Sequence, residues 1–248
     1  MTALTLAAAQ SISIAGDVPA NIQQHLLLMR AAAEHGVQLL VFPELSLTGY
    51  EPSLAGGLAI VPEDAVLMPL REMARELQLT AVVGMPIRLA SQAGVLIGAL
   101  VLGADGSLGV YTKQHLHPGE EVAFVPGQGG AALQWGEDRI ALAVCADYSH
   151  GSHPRAAADS GAGVYAAGVL ISEGGYAADV ALLQGYASEH QMLVLMANHG
   201  GPSGGWKCAG RSAIWNAQGL IAAASGVGNA LVIAHREGGR WTGRQVEI

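Results

Sequence analysis

The chain has 248 residues, 51% of them hydrophobic and 13% charged, with 20 acidic and 12 basic side chains giving a net charge of −8. This is enough apolar material for a sizeable core and too much for a disordered chain. The acidic balance without a basic run argues against nucleic-acid binding, and no apolar run reaches the roughly 18–20 residues of a membrane-spanning helix.

In chain order, strand-like and helix-like segments alternate. MTALTLAAAQ lacks a cationic region and a cleavage pattern, so Leu4 to Gln10 reads as a first strand and not as a signal peptide. Asn21 to His35 has helical periodicity, with Ile22, Leu26 and Met29 on one face and Gly36 as a stop. QLLVFPE reads as a buried strand ending at Pro43. A helix is expected from Ala65 to Gln78, then a strand over TAVVGMP. VLIGALVLGADGSLGVYTK reads as two strands joined at Ala104-Asp105-Gly106, where Asp-Gly is the turn signal.

The second half follows the same style. Strand Arg139 to Val144 leads to a helix near Pro154 to Ser160, and strand Val164 to Leu170 to a helix near Ala177 to His190. Leu193 to Ala197 is a further strand. The tail offers short strands around Ser212 to Trp215, Leu220 to Ala224 and Ala230 to Ala234. No Ser/Pro-rich linker divides the halves, so residues 1–248 read as one α/β domain with helices covering sheets. Two cysteines, Cys145 and Cys208, are too few for a disulfide framework, and a reducing cytoplasm is the expected location.

In open α/β sheets active groups collect beyond the carboxyl ends of strands. Three such ends carry chemistry: Glu44 after LLVFP, Lys113 after GVYT and Cys145 after IALAV. A free thiol is mostly protonated at neutral pH, so a nucleophilic cysteine needs a base or a stabilised thiolate. Cys145, at the lip of its strand, is expected to be exposed, with N–H groups of a following helix favouring negative charge. Glu44 stands against an apolar strand, which raises a carboxyl pKa and improves it as a base. Lys113 is placed to stabilise an oxyanion.

FPELSLTGYEP, YTKQHLHPGEEVAFVPG and IALAVCAD resemble the three signature segments of the nitrilase superfamily of carbon–nitrogen hydrolases, in the family's order. AVVGMP, EHQMLVLMANHGG and GRSAIWNAQGLIAAAS resemble further family segments, so the likeness covers almost the whole chain. It implies a four-layer αββα sandwich and a Glu-Lys-Cys triad. Cys145 is then the nucleophile that forms a thioester, Glu44 the general base and Lys113 the oxyanion-stabilising group, helped by the Ala146 N–H. Glu120 in EEVAFVPG is the second glutamate, orienting the lysine and the substrate; Glu121 is the weaker choice. Ala146, Tyr50 and Tyr148 are expected at the substrate. The resemblance implies no metal or organic cofactor.

CADYSHGSHPR departs from the C-Y-D-x-R-F-P of many members: Ala146 replaces an aromatic and Ser149 stands where an arginine often shapes a pocket for carboxylated substrates. His150, His153 and Arg155 are the residues that can replace it. The pairs His115/His117 and His150/His153 have ligand-like spacings but no HExxH or CxxC pattern accompanies them, and no metal is expected. GPSGGW and GQGG do not follow a phosphate-loop pattern. Tyr50 and Trp206 either line a pocket or cover the core, and Cys208 is read as structural.

The expected reaction is hydrolysis of a small linear amide to acid and ammonia. N-carbamoyl amide hydrolysis is the alternative, and nitrile hydrolysis ranks below it because nitrilases tend to read C-W-E at the nucleophile. A catalytically silent binding protein of the same fold is the rival from another class. The expected partners are a small amide and further copies of this chain, without nucleic acid or membrane. Light scattering at micromolar concentration is expected to give a homodimer or larger assembly, and a monomer contradicts this.

Overall fold

The first strand sets the pattern of the core. β1 (Leu4–Gln10) is buried on both faces. Leu4, Leu6 and Ala8 enter one apolar cluster, while Ala7 and Ala9 enter another. β2 (Leu39–Val41) repeats this, with Leu39 and Val41 in the first cluster and Leu40 in the second. Strands buried on both faces need a layer on each side.

The computed structural model describes residues 3–248. α1 (Val18–Glu34) opens where the Asp17 carboxylate accepts the Ala20 N–H at 3.1 Å. That cap, with Pro19 in the first turn, starts the helix before Asn21. After a 3₁₀ turn at Pro52–Leu54 comes the single turn α2 (Ala55–Leu58). The next helix has a 3₁₀ start at Ala65–Leu67 and an α-helical body, α3 (Met68–Glu76). β3 (Thr80–Leu89), β4 (Gln92–Leu102) and β5 (Leu108–Thr112) follow. Then come β6 (Leu133–Trp135), β7 (Asp138–Val144), α4 (Ser152–Asp159), β8 (Val164–Val169), α5 (Tyr176–His190) and β9 (Leu193–Asn198). The chain ends with β10 (Ala213–Asn216), β11 (Gly219–Ala223), β12 (Ala230–Glu237) and β13 (Arg240–Glu247).

These strands form a seven-stranded sheet, β13-β12-β1-β2-β3-β4-β5, and a six-stranded sheet, β11-β10-β9-β8-β7-β6. Each has a parallel centre: Leu6 pairs with Leu39 and Leu40 with Ala81 in the first, Leu142 with Ala166 and Ala167 with Met196 in the second. The sheets pack with β1 on β9 and β2 on β8. Ile22, Leu26 and Met29 of α1 and Leu70 and Ala74 of α3 cover the outer face of the first sheet. Ala157 of α4 and Leu183 and Ala187 of α5 join the cluster of the second. The result is the four-layer αββα sandwich. An Arg236–Asp138 pair, 2.6 Å between Nη1 and Oδ1, bridges β12 to β7 across the layers. No helix among the described residues is long and apolar enough to cross a membrane.

Three differences from the sequence reading have physical causes. β2 stops at Val41, because Pro43 has no N–H to continue the ladder. β12 runs on to Glu237, since its last residues pair with β13. β13 was not foreseen: RWTGRQVE is a largely exposed edge strand with little apolar alternation.

The sheets close tightly on the segment that follows β2. A Cβ added at Gly84 of β3 would lie 2.3 Å from Leu45 N and 2.6 Å from Pro43 O. One at Gly168 of β8 would lie 2.5 Å from Phe42 O. Both glycines are therefore required by close approach of backbone. Gly84→Ala is expected to lower stability by roughly 1–3 kcal/mol or more, as overpacking against an immobile backbone does. Thermal denaturation checks this, and an unchanged Tm contradicts it.

Candidate active site

Glu44 leaves the first sheet on this clasped segment and is 2% exposed. Leu45 takes φ +51, turning the chain sharply behind it. His199 Nε2 donates to the Glu44 carbonyl at 2.8 Å, and burial lowers the His199 pKa to about 4, so the ring is neutral at neutral pH. His25, stacked on Phe42, accepts from Ser46 Oγ at 2.9 Å, and the Gly84 N–H donates to the same hydroxyl at 3.2 Å. The backbone of Glu44 is thus fixed from both sides.

Lys113 extends from the end of β5 into the same space and is fully buried. Its Nζ donates to Glu44 Oε1 and to Glu120 Oε1, each at 2.7 Å. Glu120 also accepts the Tyr50 hydroxyl at 2.8 Å and the His117 N–H at 2.8 Å. Burial opposes the lysine charge, but Glu44 and Glu120 outweigh it and hold the ammonium above its ordinary pKa. Burial pushes the Glu44 carboxyl up; Lys113 pulls it back and Glu120 pushes again, leaving a pKa of about 7. Glu44 Oε2 is buried and has no completed hydrogen bond among the described residues.

Cys145 takes φ +41, a left-handed conformation that costs a non-glycine residue about 1–3 kcal/mol. Asp147, itself fully buried, holds the turn. Its Oδ2 accepts Val144 N at 3.0 Å and Tyr111 OH at 2.7 Å; its Oδ1 accepts Gln114 N at 3.0 Å and His115 N at 2.9 Å. One carboxylate therefore ties the turn after β7 to the loop that begins with Lys113. Two expectations are corrected here. Cys145 is 9% exposed, because Leu170 and the pocket wall close over it, and its thiol donates to Leu170 O at 3.6 Å. No long helix starts at it: Cys145–Asp147 is a 3₁₀ turn and α4 begins at Ser152. Burial, reinforced by Glu44 against Lys113, raises the thiol pKa well above its ordinary value. The resting sulfur is a protonated thiol.

The thiol and Glu44 line a pocket of about 240 Å³. Tyr50, Ala146, Tyr148 and Trp206 line it too. His117, Ser172 and Asp179 also face it and were not foreseen. His150, His153 and Arg155 do not line it. His150 stacks on His115, His153 bonds Tyr111 and Tyr165 at 2.8 Å each, and Arg155 is exposed beside Glu189. The turn at Asp147 sends them away from the cavity, so none replaces the missing arginine. Among the described residues no group of three or more His, Cys, Asp or Glu side chains is arranged to hold a metal ion. Glu121 is exposed and accepts the Gly119 N–H at 2.7 Å. Cys208 is 1% exposed, outside the pocket, with a pKa pushed up to about 11 by burial.

Residues 5–242 match the carbon–nitrogen hydrolase family. The chain belongs to that family. Among curated relatives, the glutamine-dependent NAD(+) synthetase of Thermotoga maritima is 29% identical over 66% of this chain. The nitrilase of Pyrococcus abyssi is 30% identical over 56%, and the (R)-stereoselective amidase of a Pseudomonas species 28% identical over 75%. The chain spans 29% of the synthetase's length and 54% of the nitrilase's. Among solved structures, the amidase of Nesterenkonia sp. AN1, in a cysteine-to-alanine form with butyramide, superposes with a TM-score of 0.85 at 27% identity, covering 95% of this chain and 92% of that one. Another form of that amidase carries the acetamide moiety of fluoroacetamide on its active-site cysteine. This carbon–nitrogen hydrolase thus resembles a synthetase, a nitrilase and an amidase in sequence, and an amidase with an active-site cysteine in fold.

Cys145 opens on the pocket and Cys208 does not. Limiting iodoacetamide is therefore expected to label Cys145 first, read by peptide mass spectrometry. Labelling of Cys208 first contradicts the site.

Proposed function

We propose that the chain hydrolyses a small linear amide to acid and ammonia through a thioester on Cys145. The observation that carries this is a thiol, Cys145, and a buried carboxyl, Glu44, lining one pocket, with one carboxyl oxygen buried and unbonded; burial raises both pKa values, that of Glu44 to about 7. A base poised near the working pH is what proton abstraction from a thiol needs. The small pocket and the amidase neighbours support a compact amide.

In the proposed mechanism, Glu44 takes the thiol proton as sulfur attacks the amide carbon. The carbonyl oxygen becomes an oxyanion beside Lys113 and the Ala146 N–H. An ammonium has three N–H donors; two go to Glu44 and Glu120, and the third meets the oxyanion. Glu44 then gives its proton to the departing nitrogen, the C–N bond breaks and ammonia leaves. Water attacks the thioester, Glu44 accepting one of its protons; the acid leaves and the proton returns to sulfur. Glu120 holds Lys113 in place, and Tyr50 holds Glu120.

Ammonia release from a panel of amides, N-carbamoyl compounds and nitriles is expected to be fastest with amides; turnover of nitriles alone contradicts the reading. Glu44→Gln is expected to lose about 10²- to 10⁴-fold in kcat, and Lys113→Met about 10²- to 10³-fold. The double variant should be little worse than the worse single one, because the groups act as a unit. Near-normal turnover in both single variants contradicts the triad. The pH profile gives an independent check. The base works only when ionised, so kcat/KM is expected to fall as pH drops through an apparent pKa near 7, a macroscopic value shared by the coupled groups. A flat profile down to pH values well below 7 contradicts Glu44 as the base.

A further inference from the structure

The far wall of the pocket carries a carboxylate that this mechanism does not use. Asp179 lies in the first turns of α5, half-buried, and faces the same cavity as Cys145. Tyr148 is its hydrogen-bond donor and His117 faces it. It packs against Gly175, where an added Cβ would lie 2.9 Å from Asp179 Oδ2. A carboxylate has about four lone-pair sites, so one hydroxyl leaves it room to accept further donors from a ligand.

The rest of the lining makes this charge consequential. The pocket is walled by Glu44, Tyr50, His117, Cys145, Tyr148 and Asp179 among its titratable groups, with no lysine or arginine. Lys113 lies behind it, bonded to Glu44 and Glu120. Ser149, also in the lining, carries no charge. Trp206, 47% exposed, and Tyr148 add aromatic faces, which attract cations. An anionic substrate would meet Asp179 with no lysine or arginine in the lining to compensate; an ammonium group would meet a carboxylate and aromatic rings. Burial raises the Asp179 carboxyl above its ordinary value, outweighing the opposing pull of Tyr148 and His117.

Resting on the amidase reading, we propose that Asp179 is a specificity-determining residue that selects amides bearing an ammonium group at the end remote from the scissile bond, and rejects amides bearing a carboxylate there. Like charge at short range in a partly desolvated pocket discriminates strongly, and opposite charge aligns the substrate. A position near the start of α5 also suits an acidic side chain to the helix dipole. That role alone involves no substrate and leaves no charge preference.

The test compares kcat/KM for β-alaninamide, butyramide and succinamate, three amides of closely similar shape whose remote groups are an ammonium, a methyl and a carboxylate. β-Alaninamide is expected to exceed butyramide by about tenfold or more, the scale of one ion pair at intermediate dielectric, with succinamate poorest. Asp179→Asn is expected to bring the β-alaninamide to butyramide ratio to about one, while Asp179→Glu keeps the preference. A purely structural Asp179 lowers both substrates in step and leaves the ratio unchanged, which overturns the proposal. So does a wild-type ratio near one, or a preference for succinamate, whatever becomes of the variants. Hydrolysis of none of the three overturns the amidase reading along with it, whereas hydrolysis with no charge preference overturns this inference alone.

Discussion

The buried cluster of Glu44, Lys113 and Glu120 is the constraint around which the rest of the molecule is arranged. Two carboxylates and one ammonium lie out of water, and each such ion costs several kcal/mol to desolvate. Only good geometry offsets that cost, and the surrounding structure supplies it. Gly84 and Gly168 let two sheets close on the backbone of Glu44; Tyr50 and the His117 N–H complete the acceptors of Glu120. Removing the lysine leaves two carboxylates facing each other in an apolar setting. The charge cluster is therefore a stability problem that the fold solves to keep a site.

The same burial sets the distribution of protons. It raises Glu44 and the Cys145 thiol together, while Lys113 acts against it at both groups. The carboxyl comes to rest near 7 and the thiol well above its ordinary value, which in the proposed mechanism keeps the proton on sulfur until a substrate is present. This differs from a cysteine kept as thiolate by a helix terminus. The 3₁₀ turn after Cys145 is too short for that, and its anchor, Asp147, gives its acceptor capacity to two loops. The strained φ at Cys145 keeps the sulfur turned toward the pocket and Leu170, and the Asp147 contacts hold the strain in place.

Much of this was legible in the sequence. LTLAAAQ and IALAV are continuous apolar runs, the mark of strands buried on both faces, and the groups at the strand ends are Glu44, Lys113 and Cys145. What escaped depended on distance along the chain. Asp147 works through Gln114 and His115, whose loop lies more than thirty residues earlier, and nothing local announces that pairing. Asp179 sits in a helix with an apolar exposed flank, where an acidic residue reads as surface. His150 and His153 had the right spacing from the nucleophile to reach a substrate, but the direction of the turn was not encoded in that spacing. β13 was missed because an exposed edge strand needs no apolar alternation.

The claim that joins these points is that Cys145, the proposed nucleophile, rests as a buried, protonated thiol for Glu44 to activate and not as a standing thiolate. Raman spectroscopy of the S–H stretching band, in a Cys208→Ala background where Cys145 is the sole thiol, tests it directly. At neutral pH, without substrate, the S–H band should be present at full intensity, with no ultraviolet thiolate absorbance. A missing S–H band together with thiolate absorbance at neutral pH would contradict it.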